Sequence, residues 1–273
     1  MTTQPASQPI YPDQQADSPP TLNFYPAPEP DGSCILVFPG GGYGHVAVDH
    51  EGHPSARWLN TLGISAAVCV YRVAPNRHPI PLNDAKRAMR TVRAHAAEWK
   101  FDKKRIGVMG FSAGGHLAAT LSTHFDAGNA QASDAIEQES CRPDLTILGY
   151  PVITLTQSYT HAGSRRNLLG DDWAKDKDLL RDLSPDQKVS PETPPAFLFH
   201  TVDDPGVKVE NSLLYAAALR DHQIPHEVHL YEHGPHGVGL ARESPRADRN
   251  DPVLATWTML CGNWLKKRGF GRG

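Results

Sequence analysis

The chain has 273 residues, of which 27 are basic and 30 acidic, for a formal net charge of −3. That balance supplies no global positive field to draw in nucleic acid or anionic lipid. No apolar run approaches the roughly 18 to 20 residues needed to span a bilayer, so the expected partners are small molecules and not a membrane. Hydrophobic content of 39% suffices to bury a sheet, and a length just above the usual single-domain range fits one α/β domain over residues 21–273. Cys34, Cys69, Cys141 and Cys261 are scattered without CxxC clustering, which suggests neither a disulfide framework nor a zinc knuckle. Residues 1–20, rich in Gln, Pro, Ser and Thr, lack the basic start and apolar stretch of a secretory signal. They are expected to be disordered or loosely draped, and the chain is expected to be cytoplasmic with reduced thiols.

In chain order, strand patterns fall at Leu22–Tyr25, Cys34–Phe38, Ala66–Tyr71, Ile106–Met109, Leu145–Gly149, Ala196–His200 and Glu227–Tyr231. Helical patterns alternate with them at Pro54–Leu62, Asn83–Trp99, Ala113–Phe125, Val209–His222 and Pro252–Lys267. In the second helix Ala85, Ala88, Met89 and Val92 stand at i, i+3, i+4, i+7 spacing. This alternation predicts a mostly parallel sheet with helices on both faces. Residues 154–195 break the rhythm with Pro185, Pro191, Pro194 and Pro195, and read either as an excursion over the site mouth or as an ordinary surface insertion. Trp173 within it is the tryptophan placed to reach a substrate.

The strands Ile35–Phe38 and Ile106–Met109 are continuous apolar runs, as central strands require, and each ends in glycines. Ligands of open α/β sheets bind at the carboxyl ends of the strands, so these two turns are where chemistry is expected. After the second strand stands Gly110-Phe111-Ser112-Ala113-Gly114, a G-x-S-x-G motif followed at once by a helix-forming run. A sharp strand-to-helix turn lifts the serine Oγ from the backbone, and flanking glycines avoid collisions with the neighbouring strand and helix. Ser112 is therefore the candidate nucleophile, although a glycine-rich turn alone can be a packing device.

After the first strand stands Pro39-Gly40-Gly41-Gly42-Tyr43-Gly44. Consecutive glycines let backbone amides approach a reacting carbonyl, and Gly41, Gly42 and Ala113 are the candidate oxyanion donors. A phosphate loop would need the Walker lysine or a dinucleotide spacing, and neither is present. Many relatives of this fold carry histidine where Pro39 stands.

An acid and then a histidine should follow the serine. Asp203 and Asp204 lie beyond the strand ending at His200, and His236 lies in Gly234-Pro235-His236-Gly237 beyond the strand ending at Tyr231. The usual spacing of the fold, four residues after the strand-end His and three before a valine, favours Asp204, with Asp203 left to cap a helix or orient the loop. His226, His229, His233 and His236 also admit a metal reading, but residues 226 and 229 fall on opposite strand faces and no third ligand has a firm spacing. His45, His50 and His53, with Asp49 and Glu51, either line the alcohol side of the pocket or give ordinary loop polarity. His116 reads as structural, and Arg72 and Asp84 read as a structural pair.

From about Thr21 to the C-terminus the chain resembles bacterial α/β-hydrolases of the carbohydrate acetyl-esterase type, grouped with dienelactone-hydrolase-like and feruloyl-esterase-like enzymes. The matching segments are PGGGYG at Pro39–Gly44, DHEG at Asp49–Gly52, YRVAP at Tyr71–Pro75, RIGVMGFSAGGHLA at Arg105–Ala118, TVDD with VENS at Val209–Ser212, and GPHGVGL at Gly234–Leu240. Lys208 departs from a proline often found there. The resemblance implies cofactor-free hydrolysis of acyl esters, acetyl groups on xylose-type sugars or oligosaccharides, with Ser112, His236 and Asp204 as the triad. A peptidase or acyltransferase on the same residues, or a non-catalytic ligand-binding protein, are the alternatives; retention of both serine and histidine weighs against the last.

Overall fold

A computed structural model describes residues 6–11, 19–172 and 176–272. Trp173, singled out above, lies outside the described residues. Among the described residues eight strands form one sheet: β1 (Ala6–Pro9), β2 (Thr21–Tyr25), β3 (Cys34–Phe38), β4 (Ser65–Val70), β5 (Ile106–Phe111), β6 (Thr146–Gly149), β7 (Ala196–Thr201) and β8 (His226–Tyr231). Their spatial order is β1-β2-β4-β3-β5-β6-β7-β8. The pairs β1–β2 and β2–β4 are antiparallel, and every pairing from β4 through β8 is parallel. The α-helices among the described residues are α1 (His53–Thr61), α2 (Ile80–Ala94), α3 (Ser112–Thr123), α4 (Ala162–Leu169), α5 (Lys177–Asp182), α6 (Glu210–Asp221) and α7 (Thr256–Lys267).

Strict alternation along the central strands divides the core in two. Cys34, Leu36 and Phe38 of β3 face one layer, with Ala88, Met89 and Val92 of α2, Leu117 and Leu121 of α3, and Tyr215 of α6. Ile35 and Val37 face the other, with Ala56 and Leu59 of α1 and Trp257, Cys261 and Leu265 of α7. Both faces are covered, so β3 has no exposed residue. The four cysteines are free and buried.

Three elements depart from the sequence reading. The segment expected to be an unstructured tail contains the edge strand β1, which pairs Ala6–Pro9 with Thr21–Phe24. Ile10 after it is buried, its carbonyl accepts from Arg87 Nε at 3.1 Å, and the Tyr11 ring lies under the Arg72 and Arg87 guanidiniums. The helix expected over 83–99 starts earlier, at Ile80, and ends at Ala94, after which tight turns stack Trp99 on Phe24 with ring centroids 4.4 Å apart. A π-helical turn, Val48–Gly52, precedes α1 and carries Glu51 inward. The expected structural pair is formed: Arg72 donates from its backbone N–H and Nε to the fully buried Asp84, at 2.9 and 3.0 Å.

Because β3, β5, β7 and β8 run parallel, the loops that follow them emerge along one edge. Those loops carry Gly40–Gly44, Ser112, Asp204 and His236.

Candidate active site

Ser112 begins α3 directly after β5 with φ of +52°, a left-handed conformation that a serine adopts only when its surroundings enforce it. The enforcement is steric. A Cβ on Gly110 would stand 2.2 Å from the Gly114 carbonyl oxygen, and one on Gly114 would stand 2.1 Å from the Phe38 carbonyl oxygen. Strand, turn and helix therefore pack at backbone contact distance, and the hydroxyl is left at the edge of the sheet.

The Ser112 Oγ lies 2.8 Å from His236 Nε2. On the far side of the ring, His236 Nδ1 lies 2.8 Å from Asp204 Oδ2. Asp204 is 1% exposed. Its Oδ1 accepts the Gly206 and Val207 N–H groups at 2.7 and 2.9 Å, and His200 Nε2 stands 3.4 Å from Oδ2. Burial pushes the Asp204 carboxyl upward, but the hydrogen bonds from His200 and His236, the His236 charge and the Val207 N–H outweigh it, and the net direction is well below the usual carboxylate range. A carboxylate acceptor on Nδ1 keeps the proton there and leaves the Nε2 lone pair facing the hydroxyl.

The neighbouring Asp203 points elsewhere. It is half exposed, lies 2.9 Å from His233 Nδ1 and accepts the Gly234 N–H at 2.8 Å, so it braces the loop that carries His236. Of the other clustered histidines, His226 bonds the Ile224 carbonyl and His229 lies 2.8 Å from Glu227. No group of three His, Cys, Asp or Glu side chains able to hold a metal occurs among the described residues.

Gly41 adopts φ of +124°, where any Cβ would meet the His45 carbonyl oxygen at 2.2 Å. The Gly41 and Gly42 amides make no intramolecular hydrogen bond among the described residues. Ala113 stands in the first turn of α3, where an amide has no intrahelical acceptor. All three N–H groups are thus unspent beside the serine.

A pocket of about 500 Å³ opens over these groups, lined by Gly41, Gly42, Ser112 and His236 and by His45, His50, Glu51, His161 and Arg249. Two of its residues carry roles that the sequence reading did not assign. Glu51, weighed there as alcohol-side or loop polarity, is buried; its Oε2 accepts the Gly40 N–H at 2.6 Å and its Oε1 accepts the Tyr150 hydroxyl at 2.8 Å. Tyr150 in turn accepts the Gly239 N–H at 2.8 Å, and its ring lies edge-on to His236 with centroids 5.1 Å apart. His161 comes from the irregular segment and caps α4. Its Nδ1 accepts the Ser164 N–H at 3.2 Å, which leaves its proton on Nε2; burial, with the nearby His236, pushes its pKa down. Asn167 of the same segment donates to the Gly42 carbonyl at 2.8 Å. His50 Nε2 donates to the Gly237 carbonyl at 2.5 Å, while His53 pairs with the Tyr25 hydroxyl away from the serine.

A mostly parallel sheet covered on both faces, with a serine at the turn after a central strand, is the architecture of the α/β-hydrolases. The chain superimposes along its whole length on an acetyl ester-xyloside bifunctional hydrolase from Caldicellulosiruptor lactoaceticus, with a TM-score of 0.91 and 44% identity, covering 100% of both chains. It also matches the carboxylesterase Cest-2923 from Lactobacillus plantarum, with a TM-score of 0.81 and 25% identity over 100% of both chains. Residues 24–219 match the BD-FAE model, and the chain belongs to the BD-FAE family. Relatives include the acetylxylan esterase of Xylanibacter ruminicola, 34% identical over 87% of this chain and 46% of that protein. Another is the endo-1,4-beta-xylanase B of Butyrivibrio fibrisolvens, 40% identical over 82% of this chain and 34% of that protein. The chain thus spans between a third and a half of the length of these two curated relatives. No helix among the described residues is long and apolar enough to cross a membrane.

Proposed function

We propose that the chain is a serine carboxylesterase that removes short acyl groups, acetyl above all, from xylose-type carbohydrates. The observation that carries this reading is the unbroken chain of hydrogen bonds from Ser112 Oγ through His236 to Asp204, each 2.8 Å long, beside unspent glycine amides. His236 Nε2 takes the proton as Oγ attacks the ester carbonyl carbon, and the Gly41, Gly42 and Ala113 amides bind the oxyanion that forms. His236 then returns the proton to the leaving alcohol oxygen, giving an acyl-Ser112 ester. Water, deprotonated by His236, attacks that ester and releases the carboxylic acid. The names of the acetylxylan esterase and acetyl ester-xyloside hydrolase relatives support the choice of acetyl and of a xylose-type alcohol.

Purified protein is to be assayed on a p-nitrophenyl ester chain-length series, acetylated xylo-oligosaccharides and feruloyl esters. Turnover is expected to be fastest with acetyl and with the acetylated oligosaccharides. Ser112→Ala is expected to lower p-nitrophenyl acetate turnover by several orders of magnitude. Near-normal activity of that variant would remove the assignment of the nucleophile, and faster turnover of feruloyl than acetyl esters would replace the substrate class.

A further inference from the structure

Arg249 lines the same pocket, yet among the described residues its guanidinium forms no hydrogen bond or ion pair, and its Nε is buried without an acceptor. An N–H buried in this way is unfavourable unless a ligand or water satisfies it. The acids nearest in sequence or in the pocket wall make other contacts. Asp248 pairs with Arg246 at 2.7 Å, Asp251 accepts the Val253 and Leu254 N–H groups, and Glu51, the carboxylate in the pocket wall, has one oxygen on Gly40 and the other on Tyr150. The guanidinium lies against Gly237: a Cβ there would stand 3.2 Å from one terminal nitrogen and 3.5 Å from the guanidinium carbon.

Gly237 is the residue after His236, so Arg249 lines the pocket next to the base. The base must hand its proton to the leaving oxygen, and a pocket group next to it is placed toward the alcohol part of the ester. A planar, permanently charged fork with free N–H groups matches a carboxylate in two-point contact. We propose that Arg249 recognises a carboxylate on the alcohol part of the substrate, so that acetylated sugars bearing a uronic acid are preferred over their neutral counterparts. This rests on the esterase reading above and deepens it. A second cavity of about 340 Å³ shares His50 with the first, giving room for a larger sugar, and its wall carries charges of both signs, Arg57 and Arg242 with Asp49 and Glu243.

The test compares methyl glucuronide and methyl glucoside monoacetylated at the same hydroxyl, two substrates that differ only in a carboxylate against a hydroxymethyl group. Wild-type protein is expected to show kcat/KM about tenfold higher on the glucuronide, expressed in KM, and this ratio is expected to fall with added salt, since exposed charge pairs are screened. Arg249→Met is expected to bring the ratio to one and Arg249→Lys to leave an intermediate value. Taking the ratio divides out any effect common to both substrates. A wild-type ratio at or below one, or a ratio unchanged in Arg249→Met, overturns the proposal. Failure of the esterase reading is distinguishable: neither sugar ester nor p-nitrophenyl acetate would then be cleaved by wild type, or Ser112→Ala would cleave them equally well.

Discussion

Replacing Asp204 by Asn separates the proposed relay from every other role of that loop. Asp204 offers two oxygens: Oδ1 takes the Gly206 and Val207 N–H groups, and Oδ2 faces His236 Nδ1 at 2.8 Å. An asparagine has one oxygen, and two backbone donors compete for it. Its NH2 group is therefore directed at His236, where donor meets donor unless the imidazole moves its proton to Nε2. In that tautomer Nε2 can no longer accept the Ser112 proton, and the base is lost while the side chain keeps its shape and backbone bonds. The corresponding change in the serine-protease triad, the general template for such sites, lowers kcat about 10⁴-fold, or roughly 5 kcal/mol of transition-state stabilisation. A loss of that order is expected here, read as kcat on p-nitrophenyl acetate, with far-ultraviolet circular dichroism as the check on folding. Asp203→Asn is the control: its side chain is 50% exposed and bonds His233 and the Gly234 amide, so a loss of only a few-fold is expected. If Asp204→Asn keeps more than a tenth of wild-type kcat, or if Asp203→Asn is the more damaging of the two, the assignment of the orienting carboxylate fails.

Gly110→Ala would place a methyl 2.2 Å from a carbonyl oxygen and 2.8 Å from the Ala118 Cβ, neither able to retreat, so a stability loss of at least the roughly 1–3 kcal/mol of an overpacked core is expected. Urea unfolding monitored by tryptophan fluorescence measures it; an unchanged midpoint would mean the turn is looser than described. Glu51→Gln offers an NH2 group where the Tyr150 hydroxyl or the Gly40 amide needs an acceptor, which should displace the proposed oxyanion loop and lower kcat on the order of 10- to 100-fold with little change in KM. A pure KM effect would count against that role. His116 accepts the Tyr43 hydroxyl on Nδ1 and donates from Nε2 to the Leu183 carbonyl, and burial pushes its pKa down from 6.5 to about 4. A depressed histidine binds its proton better when unfolded, so its stability contribution is complete above pH 6.5 and is lost as pH falls toward 4, a decline on the order of 3 kcal/mol across that window. The unfolding midpoint of wild type should drop between pH 6.5 and 4.5 more steeply than that of His116→Gln, and parallel slopes would contradict this.

What the chain discloses before folding follows the range of the forces that shape each part. The nucleophile turn is legible because its constraint is local: a serine forced to φ of +52° between strand and helix needs glycine two residues away on either side, and that spacing is written in five consecutive residues. The glycine run after β3 is legible for the same reason. The fold's usual spacing favours Asp204 over Asp203, but local sterics do not separate them, because adjacent residues in a turn differ only in direction, and that direction is set by the Gly206 and Val207 amides and by His200 across the strand end. Strand β1 was hidden because Ala-Ser-Gln-Pro carries no apolar alternation; it is held by backbone pairing to β2 and by the Arg87 contact to Ile10, both from distant sequence. Glu51 shows in the sequence only as part of the DHEG resemblance at Asp49–Gly52, which leaves its role open, and Arg249 has no local signature. One is identified by donors from residues 40 and 150, the other by the absence of any acceptor among the described residues.

The same long-range contacts account for how loops from four separate strands can hold a relay to hydrogen-bonding tolerance. A parallel sheet brings their starting points to one edge, but it leaves each loop free to pivot. Here the Glu51 carboxylate joins the Gly40 amide of the glycine loop to the Tyr150 hydroxyl beyond β6, and that hydroxyl holds the Gly239 amide of the histidine loop. Gly206, which feeds its own N–H to Asp204, packs so closely on His236 that a Cβ there would lie 2.9 Å from the ring. The acid loop therefore fixes both the orientation of the imidazole and its position. The glycine loop and the acid loop are thus each tied to the histidine loop by contacts away from the reacting atoms, which help the scaffold set the Ser112–His236 distance, in keeping with a site built before its substrate arrives.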